Sequence, residues 1–226
     1  MPEARVQRKL LAFIDGFNLY YGLLKARPDL RWLNVRKMVK IVFPNDEIVG
    51  IKYFTARVDD DGRKPPSSKR QRQDAYCAAL ASVDVEVIDG RLEYREKECG
   101  VSHCTLVKPC FYRSPVEKMT DVNLALNVVE DVSRIQPNVA LIISADTDLM
   151  PAMVRVRRII PKGLKQVLIP CSESAYKDRR VDAFGLNGWV ARRLTEQVIK
   201  DSQFPESFQL RDGTLATRPA QWRISN

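Results

Sequence analysis

The stretch KLLAFIDGFN, from Lys9 to Asn18, runs apolar from Leu10 to Ile14 and stops on Asp15-Gly16. A short apolar run closed by such a pair reads as a buried strand over Lys9–Ile14. Its counterpart lies far along the chain, where Val139–Ile143 is again apolar and is followed by Ser144-Ala145-Asp146 and then Asp148. Each strand therefore delivers acidic residues at its carboxyl end. In an open parallel sheet, sites form outside that end, above all where strand order reverses. If these two strands are neighbours there, Asp15, Asp146 and Asp148 share one crevice.

Working outward, β-branched and aromatic content makes Glu47–Arg57 a second strand and the alternation in Val83–Ile88 a third, with Gln166–Ile169 as the last clear one. Helical stretches fall between them: Asn18–Lys25, Val35–Val42, Gln71–Ser82, Asp148–Ile160 with Pro151 in its first turn, and Gly188–Lys200. Ser114-Pro115-Val116-Glu117 carries a helix-start pattern of capping serine, proline at the first position and glutamate three after the cap. From there to Val132, residues Val122, Ala125, Val129 and Val132 keep helical spacing, with Leu124 and Val128 broadening the face. Glu117 and Asp121, four apart, would then share one face of the first turns. Strands separated by helices imply an α/β domain with a mainly parallel sheet.

Gly90–Arg113 has no helical period and reads as a small cysteine-containing hairpin or finger inserted at about 90–113. The tail beyond Lys200, with Pro205, Gly213 and Pro219 among scattered aromatics, reads as an extended segment packed on the domain. No internal repeat is present.

The chain has 226 residues, 45% of them hydrophobic, enough for one enlarged α/β domain with a sizeable core. No apolar run spans a bilayer, and Leu10–Ile14 is too short for a signal-peptide core, so the expectation is a soluble cytoplasmic protein without membrane partners. Five cysteines at 77, 99, 104, 110 and 171 are an odd count, which speaks against a disulfide framework. Cys77 and Cys171 read as core residues. Cys99, His103, Cys104 and Cys110 invite a zinc reading, but the CxxC knuckle is absent and His103 abuts Cys104, so free thiols are the preferred reading.

The formal net charge of +9 hints at a polyanionic partner. Basic residues gather in two sets, Arg63, Lys64, Lys69, Arg70 and Arg72 near the carboxyl edge, and Arg155, Arg157, Arg158, Lys162 and Lys165 further on. Of these, Lys69, Arg70, Arg72, Arg155 and Arg158 are the candidate nucleic-acid contacts. Tyr20 and Tyr21 could stack on a base, although packing is the commoner role. Carboxylates crowded into one crevice repel one another unless a cation intervenes. Mg²⁺ or Mn²⁺ suits oxygen ligands and leaves positions open for water and phosphate, which is the physical case for phosphodiester hydrolysis. His103 is the single histidine, so a two-histidine mechanism is excluded.

Three segments carry a resemblance: FIDGFNLYYGL (Phe13–Leu23), EKMTDVNLALNVVED (Glu117–Asp131) and ISADTDLMPAM (Ile143–Met153). In order and approximate spacing they resemble the NYN-domain family of PIN-like nucleases, over roughly residues 8–185, with the 186–226 remainder as a helix and tail. The resemblance implies a PIN-like three-layer sandwich and Mg²⁺- or Mn²⁺-dependent cleavage of RNA before DNA. By motif position Asp15, Asp121, Asp146 and Asp148 would be the catalytic and metal-binding cluster, with Asn18, Ser144 and Glu117 supporting. PIN-like relatives commonly dimerise, so a homodimer accords with the resemblance. The expected function is thus a metal-dependent endoribonuclease, and the alternative is an RNA-binding regulator of the same fold without turnover. A phosphohydrolase using Asp15 as nucleophile is disfavoured, because Phe17 stands where a second aspartate belongs.

Overall fold

A computed structural model describes residues 7–58, 67–101, 105, 110–178 and 188–223. The first strand, β1 (Lys9–Asp15), is buried from Leu10 onward and lies at the centre of a seven-stranded sheet. On one side it pairs parallel with β2 (Glu47–Ala56), and on the other with β5 (Val139–Ile143). Beyond β2 come β3 (Glu86–Glu98), parallel, and β4 (Phe111–Lys118), antiparallel. Beyond β5 come β6 (Leu164–Pro170) and the edge strand β7 (Val190–Leu194), both parallel. The order β4-β3-β2-β1-β5-β6-β7 reverses between β1 and β5, so the two acid-tipped strands flank the switch point.

Two apolar layers sandwich the sheet. Alternate residues of β1 face opposite sides: Leu10, Ala12 and Ile14 join one core cluster, Leu11 and Phe13 the other. The first cluster is covered by helices α2 (Val35–Val42) and α3 (Ser68–Ser82). The second is covered by α4 (Thr120–Ile135) and α5 (Met150–Ile159). Short helices α1 (Gly16–Leu19) and α6 (Glu173–Asp178) follow β1 and β6 directly. The tail, with helix α7 (Glu196–Asp201) and the hairpin β8 (Ser207–Gln209) with β9 (Leu215–Thr217), closes the first face. Its Phe204 and Trp222 pack on fully buried Trp32, whose indole N–H donates to the Pro205 carbonyl at 2.9 Å. Among the described residues no helix is long and apolar enough to cross a membrane.

Several local expectations need correction. Ser114–Glu117 does not start a helix. It lies in β4, paired with Leu92–Arg95, because an edge strand tolerates proline and the residue before proline prefers extended backbone. The helix begins at Thr120 after Met119 turns left-handed at φ 75°, and Glu117 caps it from the strand by accepting the Thr120 amide at 2.8 Å. Consequently α4 buries Leu124, Val128 and Val132, whereas Val122, expected on the inner face, is exposed. Of the hairpin or finger expected at 90–113, the described residues show antiparallel pairing of β3 with β4, and both strands extend the main sheet. Residues 188–200 are not one helix. Val190–Leu194 pairs along β6, and the helix starts only after Thr195, whose hydroxyl accepts the Val198 amide. Edge pairing outweighs the helical propensity of Ala-Arg-Arg-Leu. Asn18–Lys25 splits into α1 and a π-helical turn over Tyr20–Leu24.

Candidate active site

Asp15 ends β1 and is 1% exposed. One carboxylate oxygen caps α1 by accepting the Asn18 amide at 2.9 Å. The other accepts the Asn18 side-chain amide at 2.6 Å and the Ser144 hydroxyl at 2.9 Å. Three donors thus orient a carboxylate that has almost no water. Burial still pushes the Asp15 pKa upward; the three donors pull it down by less, and nearby Asp146 adds a small further push upward.

The same hydrogen bonds stitch the two strand ends together. Asn18 returns across the gap, its side-chain oxygen accepting the Ala145 amide at 3.2 Å. The Ser144 oxygen accepts the Asp146 amide at 3.0 Å, and Asp146 in turn accepts the Asp148 amide at 2.8 Å. Asp146 is half-buried and Asp148 exposed. Ser144→Ala removes a buried donor from a charged acceptor, a loss of about 2 kcal/mol. The expected result in urea melts is a deficit of that size at neutral pH. It should shrink as pH falls and Asp15 takes up its proton.

Asp121 enters from the first turn of α4. Its pKa rises from the ordinary 3.8 to about 6, chiefly through partial desolvation and then through repulsion from Glu117, Asp15, Asp146 and Asp148. That repulsion shows all five acids sharing one field at the carboxyl edge. Glu117 arrives from β4 rather than from the same helix face. Their oxygens match Mg²⁺ or Mn²⁺ in kind. Among the described residues no group of three or more His, Cys, Asp or Glu side chains is close enough to hold one metal ion.

The basic candidates are less concentrated. Arg70 is engaged, its guanidinium donating to Asp74 and to the Val58 carbonyl. Lys69, Arg155, Arg157 and Arg158 are exposed and Arg72 half-buried. Lys165 is buried, donating to the carbonyls of Ile160, Pro161 and Gly163. Arg63 and Lys64 lie outside the described residues, as do His103 and Cys104 of the zinc candidate. The Cys99 amide donates to the Cys110 carbonyl at 2.8 Å. Cys77 and Cys171 are buried.

A cleft of about 240 Å³ is lined by Phe17, Asn18, Tyr21, Gly22 and Pro170, and Asn18 joins it to the Asp15 carboxylate. The Phe17 and Tyr21 rings lie 6.3 Å apart and within 18° of parallel. Tyr21 is 60% exposed, contrary to the packing role expected of it. The π turn explains this. Its wider winding, closed by the Lys25 amide on the Tyr20 carbonyl at 2.7 Å, rotates Tyr21 out over the cleft. Gly22 permits the turn to sit against β6, since a Cβ there would come 1.8 Å from the Pro170 carbonyl oxygen. Gly22, Pro170 and Lys25 were not marked by the sequence. The glycine inside YYGLL was the available signal, since an isolated helical glycine often marks close approach.

No protein-family model matches the chain. A curated relative, 6-hydroxy-3-succinoylpyridine 3-monooxygenase HspA of Pseudomonas putida (strain DSM 28022 / S16), is 27% identical, with the alignment covering 93% of this chain and 74% of the relative. A solved structure, that of a protein of unknown function, VPA0982 from Vibrio parahaemolyticus RIMD 2210633, superposes with a TM-score of 0.46 at 15% identity, covering 86% of this chain and 97% of that one. The expectation of a metal-dependent ribonuclease is overturned by the first of these. A relative aligned along nearly the whole chain bears the name of an oxidoreductase, not a hydrolase. Crowded carboxylates at a sheet edge are not specific to phosphodiester chemistry, and a fold does not carry its function with it.

Proposed function

We propose that this protein is an oxidoreductase of the monooxygenase kind, acting on a small hydroxylated aromatic ring at the crevice of Asp15, Asp121, Asp146 and Asp148. The observation that carries the proposal is the similarity to the hydroxypyridine monooxygenase along 93% of the chain. The aromatic cleft joined to Asp15 through Asn18 supports it, because Phe17 and Tyr21 offer flat faces to a ring whose hydroxyl can point at the carboxylates. We also read the architecture as PIN-like, on the convergence of Asp15, Asp121, Asp146 and Asp148 at one sheet edge.

Monooxygenation places one atom of dioxygen on the ring and reduces the other to water, with two electrons from a reductant. The chain's own part is to bind the ring and to move a proton. Taking the hydroxyl proton makes the ring more electron-rich and so more open to oxygen addition. Asp121 is suited to accept that proton, since its affinity for protons is raised to the range where a carboxylate works as a base near neutrality. The transfer leaves the net charge of the crevice unchanged, so the neighbouring acids do not oppose it. Asp15, held by three donors, positions Ser144 and Asn18 and through them the two strand ends. The experiment is incubation with hydroxypyridines, dioxygen and a reduced nicotinamide or flavin donor, followed by mass spectrometry under ¹⁸O₂. Incorporation of one labelled oxygen per product is expected. Unaltered substrate across such a panel would remove the proposal.

A further inference from the structure

The cleft joined to Asp15 through Asn18 has a feature that ring binding alone does not use. Lys25 follows the lining residue Tyr21 by four positions, and its ammonium nitrogen stands 4.9 Å from the centroid of the Tyr21 ring. It is exposed and forms no ion pair among the described residues. The acids next along the chain and across from it, Asp29 and Glu196, are both engaged by Arg27. Two of the residues that line the cleft are thus tied to opposite charges, Asn18 to Asp15 and Tyr21 to Lys25. Asn18 bonds the Asp15 carboxylate on the acid side, and the Lys25 ammonium overhangs the Tyr21 ring.

We infer that this cleft selects a planar aromatic carboxylic acid, its ring against Phe17 and Tyr21 and its carboxylate on Lys25, so that the opposite edge of the ring meets the acidic crevice. The polarity follows from charge. An anionic substituent is repelled by the acids on the Asn18 side and attracted by Lys25, which leaves one orientation of the ring favoured over its reverse. Tyr21 contributes twice, as a stacking face and as the surface that holds the Lys25 stem in place. The floor is rigid, because the π turn is closed by the bond from Lys25 to Tyr20 and seated by Gly22 on Pro170. This inference names the substrate class for the centre proposed above, but binding stands on the cleft itself and is measured without turnover.

Titration calorimetry of the intact chain with 4-hydroxybenzoate and with its neutral amide, 4-hydroxybenzamide, tests it. The acid should bind about tenfold more tightly than the amide at low salt. Lys25→Gln should abolish the difference by weakening the acid alone, while Tyr21→Ala should weaken both ligands by about tenfold. Both side chains are exposed, so circular dichroism should show unchanged folds. Equal affinity for acid and amide, wild-type affinity in Tyr21→Ala, or no binding of either compound would each overturn the inference. Selective acid binding without oxygen incorporation would keep the subsite and remove the oxidoreductase. Incorporation without acid preference would do the reverse.

Discussion

Asp121→Asn should lower kcat/KM for ring hydroxylation by about 10²–10⁴-fold, the usual range for losing a general base. The wild-type enzyme should gain activity as pH rises through about 6, where Asp121 gives up its proton, and the variant should lack that limb. Stability should move the opposite way. A carboxyl group whose folded pKa exceeds its unfolded value favours the folded state fully below the unfolded value. That advantage is lost as pH rises through the folded one. For Asp121 the window lies between 3.8 and about 6. The variant, carrying no charge, should therefore melt higher than wild type above pH 6 and match it near pH 4. Because Asp121 is exposed and screened, the expected gain is small, about 2 °C. A variant that retains the pH limb, or that is destabilised at pH 8, would take Asp121 out of the proposed role.

Among the described glycines, Gly22→Ala should be the most damaging replacement. Its Cβ would fall 1.8 Å from the Pro170 carbonyl oxygen, and backbone rather than a flexible side chain must give way. Overpacking of that kind costs about 3 kcal/mol, or roughly 10 °C in a domain of this size. The strain acts on the π turn and the end of β6, which are two walls of the cleft, so ligand affinity should fall along with the melting temperature. A thermal melt within a degree or two of wild type would mean that the turn is not seated on β6 as described. Loss of stability without loss of binding would separate the cleft from the turn.

These two positions also show how unevenly the molecule was legible beforehand. The central strands needed no tertiary information. An apolar run such as Leu10–Ile14 or Val139–Ile143 has no stable place except between two covered faces, and its terminal aspartates must then emerge at the carboxyl edge. The grouping of Asp15, Asp146 and Asp148 was readable on that basis, whereas Asn18 was implied only by the family resemblance. Glu117 was placed near the site for the wrong reason. Its spacing to Asp121 fits a helix, but its backbone is strand, and only the antiparallel pairing with Leu92 decides this. The reaction class was misjudged because carboxylates in a crevice serve hydrolysis, proton transfer and metal binding alike. The cleft residues Tyr21, Gly22 and Pro170 are distributed between two chain segments about 150 residues apart.

By itself, then, the amino-acid order determined where chain segments are buried, since hydrophobic periodicity is a local property that each segment carries with it. It thereby determined the parallel α/β architecture and the edge at which the acids gather. What tertiary structure decided is everything that depends on two segments meeting. Edge pairing turned 190–194 into a strand, β4 carried Glu117 to its cap, and the contact of Gly22 with Pro170 turned a tyrosine outward to line a cleft. Such contacts are set by the shape and register of distant partners, and no local pattern encodes a partner's position.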